Sequence, residues 1–332
     1  MENFYNLASM KYLLENKLTA QDLTKEVEYL ISNFLVMGSL NMFYAKAGMG
    51  KSFFTLSLAL ALIKSKKIKQ CIYLDADNSL TALKSRGIDQ LIEQYPELLY
   101  IHSSKFDVNP QMILEKLSED AKQNTNAFED TLFIFDSIRD FIGGDMNSDR
   151  DIIKIMQQLK DLREAGGTII YLHHTTKDSD TDTPLFKGST SFIDSVDCAF
   201  SLSSRRTENK LNYQLLVSKD RLSVDDCAFE LDTTTMTLES ENIQMAQLTD
   251  YETEFVKDVT QSLSFWGEDG IKQGFLLKEI GKSSDDKTAR KYLQKFTGEF
   301  WKAEKRPQEN NATYYFPLSQ PNLPNLPINQ SA

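Results

Sequence analysis

A short glycine-containing segment, Ala45-Lys46-Ala47-Gly48-Met49-Gly50-Lys51-Ser52, has the residue types of a phosphate-binding loop. In such a loop the backbone N–H groups and the N-terminus of the next helix bind phosphate oxygens. The lysine reaches the β and γ phosphates, and the hydroxyl binds Mg²⁺. Alanine at position 45 departs from the usual glycine. We therefore predict an ATP site, with nucleotide contacts from Ala47, Gly48, Met49, Gly50, Lys51, Ser52 and Phe53.

A carboxylate at the end of a predicted strand is the expected partner of this loop. Residues 132–135 are all apolar and are followed by Asp136. Ligands of open α/β sheets bind at the carboxyl ends of the strands. We predict that Asp136 holds Mg²⁺ through water, as in a Walker B motif, while the Ser52 hydroxyl binds the ion directly.

A second carboxylate is needed to orient or deprotonate the water that attacks the γ-phosphate. Asp75 and Asp77 follow the predicted strand 72–74, at the same edge of the sheet. We prefer Asp77 as the catalytic group. The alternative is that either residue caps the helix that begins near Ser79.

A histidine pair follows another buried strand, at residues 168–172. Because that strand should end beside the phosphates, we predict that His174 senses the γ-phosphate. The alternative is a hydrogen-bonded structural histidine.

The order of elements predicts an α/β fold: a mostly parallel sheet with helices on both faces, in the manner of a P-loop NTPase. Apolar strands at 39–44, 71–74, 132–135 and 168–172 alternate with helices at 51–64, 80–95, 111–123 and 150–165. Shorter strands at 198–202 and 213–217 suggest hairpins at the sheet edge. Residues 1–37 are interpreted as a helical segment, 38–240 as the ATPase domain, and 232 to about 248 as a polar linker.

Residues 250–317 predict a second, smaller unit. Helices at 251–263, 273–281 and 283–296 precede a hairpin at 301–316, which is the order of a winged helix. The Pro- and Asn-rich residues 318–332 are predicted to be disordered.

Composition limits the classes of function. The net charge is −11, so a nucleic-acid partner must be recognised by local features rather than by the overall field. Cys71, Cys198 and Cys227 are widely spaced, which indicates buried reduced thiols. Without a long apolar run or a leader pattern, a soluble cytoplasmic protein is expected.

Together these residues resemble the RecA-type ATPase fold, and within it the RepA-like hexameric replicative helicases of plasmids. The resemblance covers residues 39–231. The segment Asp77-Asn78-Ser79-Leu80-Thr81-Ala82 with Arg86 is similar to a family motif in which the position of Asp77 is a catalytic glutamate. His173-His174 and Lys187-Gly188-Ser189-Thr190-Ser191 are also similar to family segments.

The resemblance implies a catalytic role for two further cations. Lys219 and Arg221 look like the Lys-x-Arg pair of DnaB-type helicases, which enters the ATP site of the neighbouring subunit. Cations at that position stabilise charge in the transition state of phosphoryl transfer. The alternative is an exposed turn with ordinary surface charges.

The resemblance therefore implies an ATP- and Mg²⁺-dependent homo-oligomer, a hexameric ring. It would unwind DNA during replication of a plasmid, phage or mobile element. Single-stranded DNA would contact the loops 140–149 and 177–188, and the winged helix would contact DNA or protein. Two alternatives stay open: a nucleotide-gated regulator or loader with slow ATPase, and a filament-forming recombination mediator.

Overall fold

The N-terminal region contains less helix than its sequence predicts. The computed structural model describes residues 8–24, 26–175, 189–246 and 248–318. Helix α1 (Ala8–Glu15) and a short 3₁₀ turn are followed by a hairpin of β1 (Tyr29–Ile31) and β2 (Leu35–Val36). The helical prediction for residues 1–37 is therefore wrong over this hairpin, and residues 1–7 lie outside the described part.

The reason for the hairpin is tertiary packing rather than local periodicity. Asn33 has a left-handed backbone (φ 56°), which turns the chain between the two strands. Phe34 is fully buried, with its ring centroid 5.1 Å from that of Phe200 and 5.3 Å from that of Phe229. Burial of this aromatic ring outweighs the helical spacing of the neighbouring apolar residues.

The central sheet has a parallel core with an antiparallel extension, as the fold class predicts. The strand order is β11-β10-β9-β8-β3-β7-β6-β4-β5, with parallel pairing from β8 to β5 and antiparallel pairing from β11 to β8. The strands are β3 (Leu40–Ala45), β4 (Gln70–Asp75), β5 (Leu98–His102), β6 (Thr131–Asp136), β7 (Thr168–His174), β8 (Cys198–Thr207), β9 (Lys210–Lys219), β10 (Cys227–Asp232) and β11 (Thr237–Glu241).

Helices cover both faces of the parallel core. They are α2 (Lys51–Lys64), α3 (Leu80–Ser85), α4 (Ile88–Gln94), α5 (Pro110–Gln123), α6 (Asp149–Glu164) and α7 (Ser191–Ser195). Along β6, Leu132 and Ile134 pack in the apolar cluster that includes α2, while Phe133 and Phe135 pack in the cluster that includes α6. The continuous apolar run of this strand is explained by its burial on both faces.

Two details differ from the predicted elements. The single helix predicted over 80–95 is divided into α3 and α4, because Gly87 adopts a left-handed backbone (φ 69°). The predicted linker after residue 232 instead contains β11, which pairs with β10, and helix α8 (Ile243–Ala246). Leu238 on β11 is buried, so this segment is part of the sheet edge.

Residues 249–317 form the smaller unit with its own apolar core. It contains α9 (Asp250–Trp266), β12 (Ile271–Lys272), α10 (Gln273–Glu279), α11 (Lys287–Lys295), β13 (Trp301–Arg306) and β14 (Ala312–Pro317). The strands form an antiparallel sheet in the order β12-β14-β13. Trp301 is fully buried, and its indole N–H donates to the carbonyl of Leu293 at 2.9 Å. The three helices and the hairpin agree with prediction, whereas β12 was not predicted.

Three further expectations can be compared with the described residues. All three cysteines are buried free thiols, as expected. Within the described part of the chain, no helix is long and apolar enough to span a bilayer. Most of the tail predicted to be disordered, residues 319–332, lies outside the described residues.

Candidate nucleotide-binding site

The phosphate loop connects β3 to α2 at the carboxyl edge of the sheet. Gly48 and Gly50 both have left-handed backbones, with φ values of 82° and 72°. Ala45, the departure from the usual motif, is the last residue of β3 and is fully buried in the core. Its backbone belongs to an ordinary strand, so a small β-carbon is accommodated there.

The β8–β9 hairpin holds the outer side of the phosphate loop. The Ser204 hydroxyl donates to the carbonyl of Met49 at 2.9 Å, and the Tyr213 hydroxyl donates to the carbonyl of Gly50 at 2.9 Å. Ser204 and Tyr213 are opposite each other in the strand pairing. Because both hydroxyls bond to carbonyl oxygens, neither of them occupies an N–H group of the loop.

Lys51 begins α2, and its ammonium group folds back into the loop. Its Nζ donates to the carbonyl of Ala45 at 3.2 Å and lies 3.5 Å from Nδ1 of His174. Burial lowers the pKa of Lys51, while the nearby Asp136 and Asp77 carboxylates oppose that change. A cation that is partly desolvated and surrounded by carbonyl oxygens is well placed to bind phosphate.

Asp136 ends β6 and is buried next to the start of α2. It accepts a hydrogen bond from the Tyr73 hydroxyl at 2.9 Å. Burial raises its pKa to about 6, whereas interactions with the hydroxyls of Ser52 and Tyr73 favour the ionised form. The structure thus brings Ser52 and Asp136 together, as the prediction of a shared Mg²⁺ site requires.

The two candidates for water activation, Asp75 and Asp77, have different surroundings. Asp75 is fully buried, and its carboxylate accepts hydrogen bonds from backbone N–H groups and from the Tyr100 hydroxyl at 2.6 Å. The side chain of Asp77 is 38% exposed and faces the same cavity as the phosphate loop. Asp77 is therefore the accessible carboxylate.

The two histidines at the end of β7 also differ. His173 is buried, and its Nδ1 lies 2.9 Å from the carbonyl oxygen of His174. The His174 ring lies between Lys51 and Asp77, with Nε2 3.8 Å from Oδ2 of Asp77. Burial and the charge of Lys51 lower the pKa of His174, so the neutral ring is the main form near pH 7.

The cavity over the phosphate loop has a volume of about 370 Å³. It adjoins a second cavity of about 660 Å³, with which it shares Ala47, Asp77 and His174. Lys51, Arg86 and Arg206 supply positive charge to the first cavity, and Asp136 lies at its base. The loop glycines, the cations and the hydroxyl–carboxylate pair fit a nucleoside triphosphate with Mg²⁺, because Mg²⁺ binds through few protein oxygens and the phosphates.

Lys219 and Arg221 lie away from this cavity. Lys219 Nζ donates to the carbonyls of Ile193 and Asp194 at 2.7 and 2.8 Å, at the C-terminal end of α7. Arg221 Nη2 is 3.5 Å from the same Asp194 oxygen. Burial and the charge of Arg221 lower the pKa of Lys219. The chain does not use either cation at its own phosphate loop.

The end of loop 140–149 lies next to residues 189–191, which follow the second predicted DNA loop in sequence. The Asp149 carboxylate accepts hydrogen bonds from the hydroxyls of Ser189 and Ser191, and the Ser189 N–H donates to the carbonyl of Met146. Loop 140–149 contains three aspartates and no Lys or Arg. All of loop 177–188, including Lys177 and Lys187, lies outside the described residues.

Sequence reasoning missed the contributions of Ser204, Arg206 and Tyr213. These residues follow the phosphate loop by about 150 positions and carry no local motif. Only the pairing of β8 with β3 brings them to the site. Asn78, which also lines the cavity, appeared in the sequence only within a family segment.

A family model described as an AAA domain (AAA_25) matches residues 10–180, just over half of the 332 residues. The chain belongs to this AAA-domain family. No curated protein matches the sequence. A solved KaiC-like protein, PH0186 from the hyperthermophilic archaeon Pyrococcus horikoshii OT3, is 13% identical, with a TM-score of 0.45 over 64% of this chain and 94% of that one. A likeness this distant carries no information about activity.

Family membership and the phosphate loop identify this AAA-domain protein as a member of the RecA-like ATPase superfamily. Its sheet has the parallel core with flanking helices of that fold class.

Replacement of Gly50 by alanine should weaken nucleotide binding by more than about tenfold. A β-carbon at Gly50 would lie 2.5 Å from the Tyr213 hydroxyl oxygen, and the left-handed backbone adds about 1–2 kcal/mol. Titration of a fluorescent ATP analogue measures the loss. Gly48→Ala is the matched control, since its β-carbon meets no atom within 4 Å and only the backbone term remains.

The double variant Gly50→Ala/Tyr213→Phe removes the clashing oxygen and should recover part of the affinity. Unchanged affinity in Gly50→Ala would show that the loop does not have this geometry.

The free protein should be stabilised at pH 7.5 by Asp136→Asn. The pKa of Asp136 is raised from 3.8 in the unfolded chain to about 6 in the fold, so the folded state binds an extra proton between these values. The unfolding free energy of the wild type therefore falls as the pH rises through this window, by up to roughly 3 kcal/mol.

Urea denaturation at pH 4 to 8 measures this difference, which should be full at pH 7.5, about half as large near pH 5 and small near pH 4. The exposed Asp107→Asn is the control and should follow the wild type. Parallel pH profiles for wild type and Asp136→Asn would contradict the assigned burial of an ionised Asp136.

Proposed function

We propose that this chain is an ATP-hydrolysing motor of the RecA type. The observation that carries the proposal is the meeting of Lys51, Ser52, Asp136, Asp77 and His174 at one edge of the sheet, around one cavity. These groups come from the carboxyl ends of three strands, β4, β6 and β7, and from the start of α2. Their residue types are those that phosphoryl transfer to water requires.

Each group has a distinct role in this proposal. The loop N–H groups and Lys51 bind the β and γ phosphates, while Ser52 and Asp136 hold Mg²⁺, which neutralises charge on the phosphate oxygens when bound. Asp77 orients the attacking water and accepts its proton. The neutral His174, between Lys51 and Asp77, hydrogen-bonds on the γ-phosphate side and responds to its loss.

The site is proposed to be completed by a neighbouring copy in a homo-oligomer, a hexameric ring. Lys219 and Arg221 are held at the end of α7, outside the chain's own cavity. Such cations would contribute to catalysis only across a subunit boundary. Their carbonyl contacts at α7 would be exchanged for phosphate contacts on assembly.

The substrate proposed for the ring is single-stranded DNA, and the biological process is replication of a plasmid, phage or mobile element. Adjacency of loop 140–149 to the segment after loop 177–188 supports a common DNA surface. Loop 140–149 itself contains no Lys or Arg, so the positive charge on this surface is proposed to come from Lys177 and Lys187, with the flanking Arg139 and Arg150.

A second candidate is a nucleotide-gated DNA-binding regulator or loader that does not unwind. Within α11 there are four basic side chains and no acidic one, and Lys287 and Lys291 are exposed. The order of elements in residues 249–317 supports the winged-helix interpretation, in which such a helix contacts DNA. Aspartate at position 77 is also shorter than the family's glutamate, which favours slow hydrolysis.

Lys51→Ala should reduce ATP turnover to background, because it removes the cation that binds the β and γ phosphates. Phosphate release with and without single-stranded DNA measures the effect. Lys64→Ala, an exposed lysine at the other end of α2, is the matched control. Normal turnover in Lys51→Ala would refute the ATPase assignment.

Strand displacement on a forked duplex then separates the candidates. Unwinding by the wild type and not by Lys51→Ala supports the helicase. ATPase without unwinding supports the regulator or loader, and filaments on DNA in electron micrographs support the recombination mediator.

Lys219→Ala should lower ATP turnover by about 100-fold or more, the cost of removing a group that stabilises transition-state charge. Mixing this variant with Lys51→Ala should restore activity, because each supplies what the other lacks at a shared site. Lys210→Ala, at the start of the same strand, is the control. A mixture no more active than the sum of its parts would exclude a role for Lys219 in trans.

A further inference from the structure

Asp75 and Asp136 form a pair of carboxylates inside the protein. They are the last residues of β4 and β6 and are direct partners in the parallel pairing of these strands. Both are buried, with exposed fractions of 0% and 2%. Two neighbouring buried carboxylates repel each other, and each needs hydrogen-bond donors.

The carboxylate of Asp75 is saturated with donors from the protein. Oδ1 accepts the N–H groups of Asp77 at 3.1 Å and Asn78 at 3.0 Å, and Oδ2 accepts the Tyr100 hydroxyl at 2.6 Å. The Asn78 side-chain amide donates to both oxygens, at 3.2 and 3.1 Å. Asp75 thus fixes the peptide that carries Asp77 and has little capacity left for water.

Asn78 connects Asp75 to the rest of the site. Its Nδ2 also lies 3.4 Å from Oδ2 of Asp136, so the amide bridges the two carboxylates. Its Oδ1 accepts a hydrogen bond from Arg86 at 2.9 Å. The Arg86 guanidinium in turn lies over the Phe53 ring, 5.1 Å from its centroid. Phe53 directly follows the phosphate loop, in the first turn of α2.

The chemistry of this position requires an amide. The side chain must donate to carboxylates and accept from a guanidinium at the same time. A carboxylate of the same size has no proton to donate and would add a third negative charge. Alanine would leave Asp75 and Asp136 facing each other with fewer donors.

We propose that Asn78, anchored on Asp75, is a positioning residue that sets the relative placement of Asp77 and Asp136. This inference rests on the proposed ATPase function, because it assigns Asp77 to water and Asp136 to Mg²⁺. Asn78 borders the cavity, and its proposed role involves no contact with the reacting atoms. It acts by fixing the distance between the carboxylate that orients water and the carboxylate that holds the metal.

Asn78→Ala and Asn78→Asp provide complementary tests. Both lose the donor, while Asn78→Asp keeps the size and the acceptor for Arg86. Both should lower kcat by about 100-fold, with KM for ATP changed by less than about threefold, because misplacement affects the chemical step more than binding.

A second readout does not depend on turnover. The Mg²⁺ concentration that half-saturates binding of a fluorescent ATP analogue should rise about tenfold in both variants, as for other losses of a partner behind a metal ligand. Affinity for the analogue in EDTA should stay close to that of the wild type in Asn78→Asp.

Asn109→Ala is the matched control. Asn109 caps α5 by accepting the N–H of Met112 at 2.9 Å, far from the site in sequence. Its loss should lower the thermal midpoint with no change in Mg²⁺ dependence or in kcat per folded molecule. If the Asn78 variants behave in this way, Asn78 is only structural and the proposal fails.

Failure of this inference differs from failure of the proposed function. Wild-type kcat and Mg²⁺ dependence in both Asn78 variants, with Lys51→Ala inactive, would overturn the positioning role and leave the ATPase intact. If the wild type itself does not hydrolyse ATP, the Mg²⁺ dependence of nucleotide binding still decides whether Asn78 positions Asp136.

Discussion

The burial of two carboxylates at the ends of neighbouring parallel strands is the constraint around which the site is built. Desolvation of an ion costs several kcal/mol unless hydrogen bonds replace the lost water. Here the replacements are hydroxyls from Tyr73 and Tyr100, the Asn78 amide and backbone N–H groups. They satisfy Asp75 more completely than Asp136, whose pKa remains raised by burial. The less satisfied carboxylate is the one that faces Lys51 and Ser52.

The incomplete hydrogen bonding of Asp136 lowers the stability of the free protein, and a bound ligand would restore it. Lys51 is also partly desolvated, and its pKa is lowered by that burial. A cation placed against Asp136 and phosphates placed against Lys51 would each supply the opposite charge that the fold lacks. Sites that hold unsatisfied charge in advance bind charged ligands with little reorganisation, at the expense of stability.

Local sequence signals predicted the parts of the molecule that depend on local physics. The glycine loop, the strand ends at Asp136 and His174, and helices such as α5, with its Asn109 cap and Pro110, lie where their sequences indicate. The fold class followed from the alternation of apolar strands and helices. These elements need only their own residues to be recognised.

Elements that depend on distant partners could not be predicted in this way. The apolar residues around Phe34 are spaced as in a helix, but its contacts with Phe200 and Phe229 place it in a hairpin. The edge strand β11 contains few apolar residues and is defined by its pairing with β10. At the site, Tyr213 reaches Gly50 only because the sheet brings β9 to the loop. The different roles of Asp75 and Asp77 could be assigned only from the burial of Asp75 in the fold.

Strand β9 joins two regions that its sequence does not connect. Near its middle, the Tyr213 hydroxyl donates to the carbonyl of Gly50, and at its end the Lys219 ammonium donates to the carbonyls of Ile193 and Asp194. Six residues of extended chain span about 20 Å. Pairing with β10 accompanies this segment only as far as Leu215, and the pairing with β8 is irregular between Val217 and Lys219. One strand therefore carries both a contact to the phosphate loop and the Lys219 side chain, about 20 Å apart along the chain.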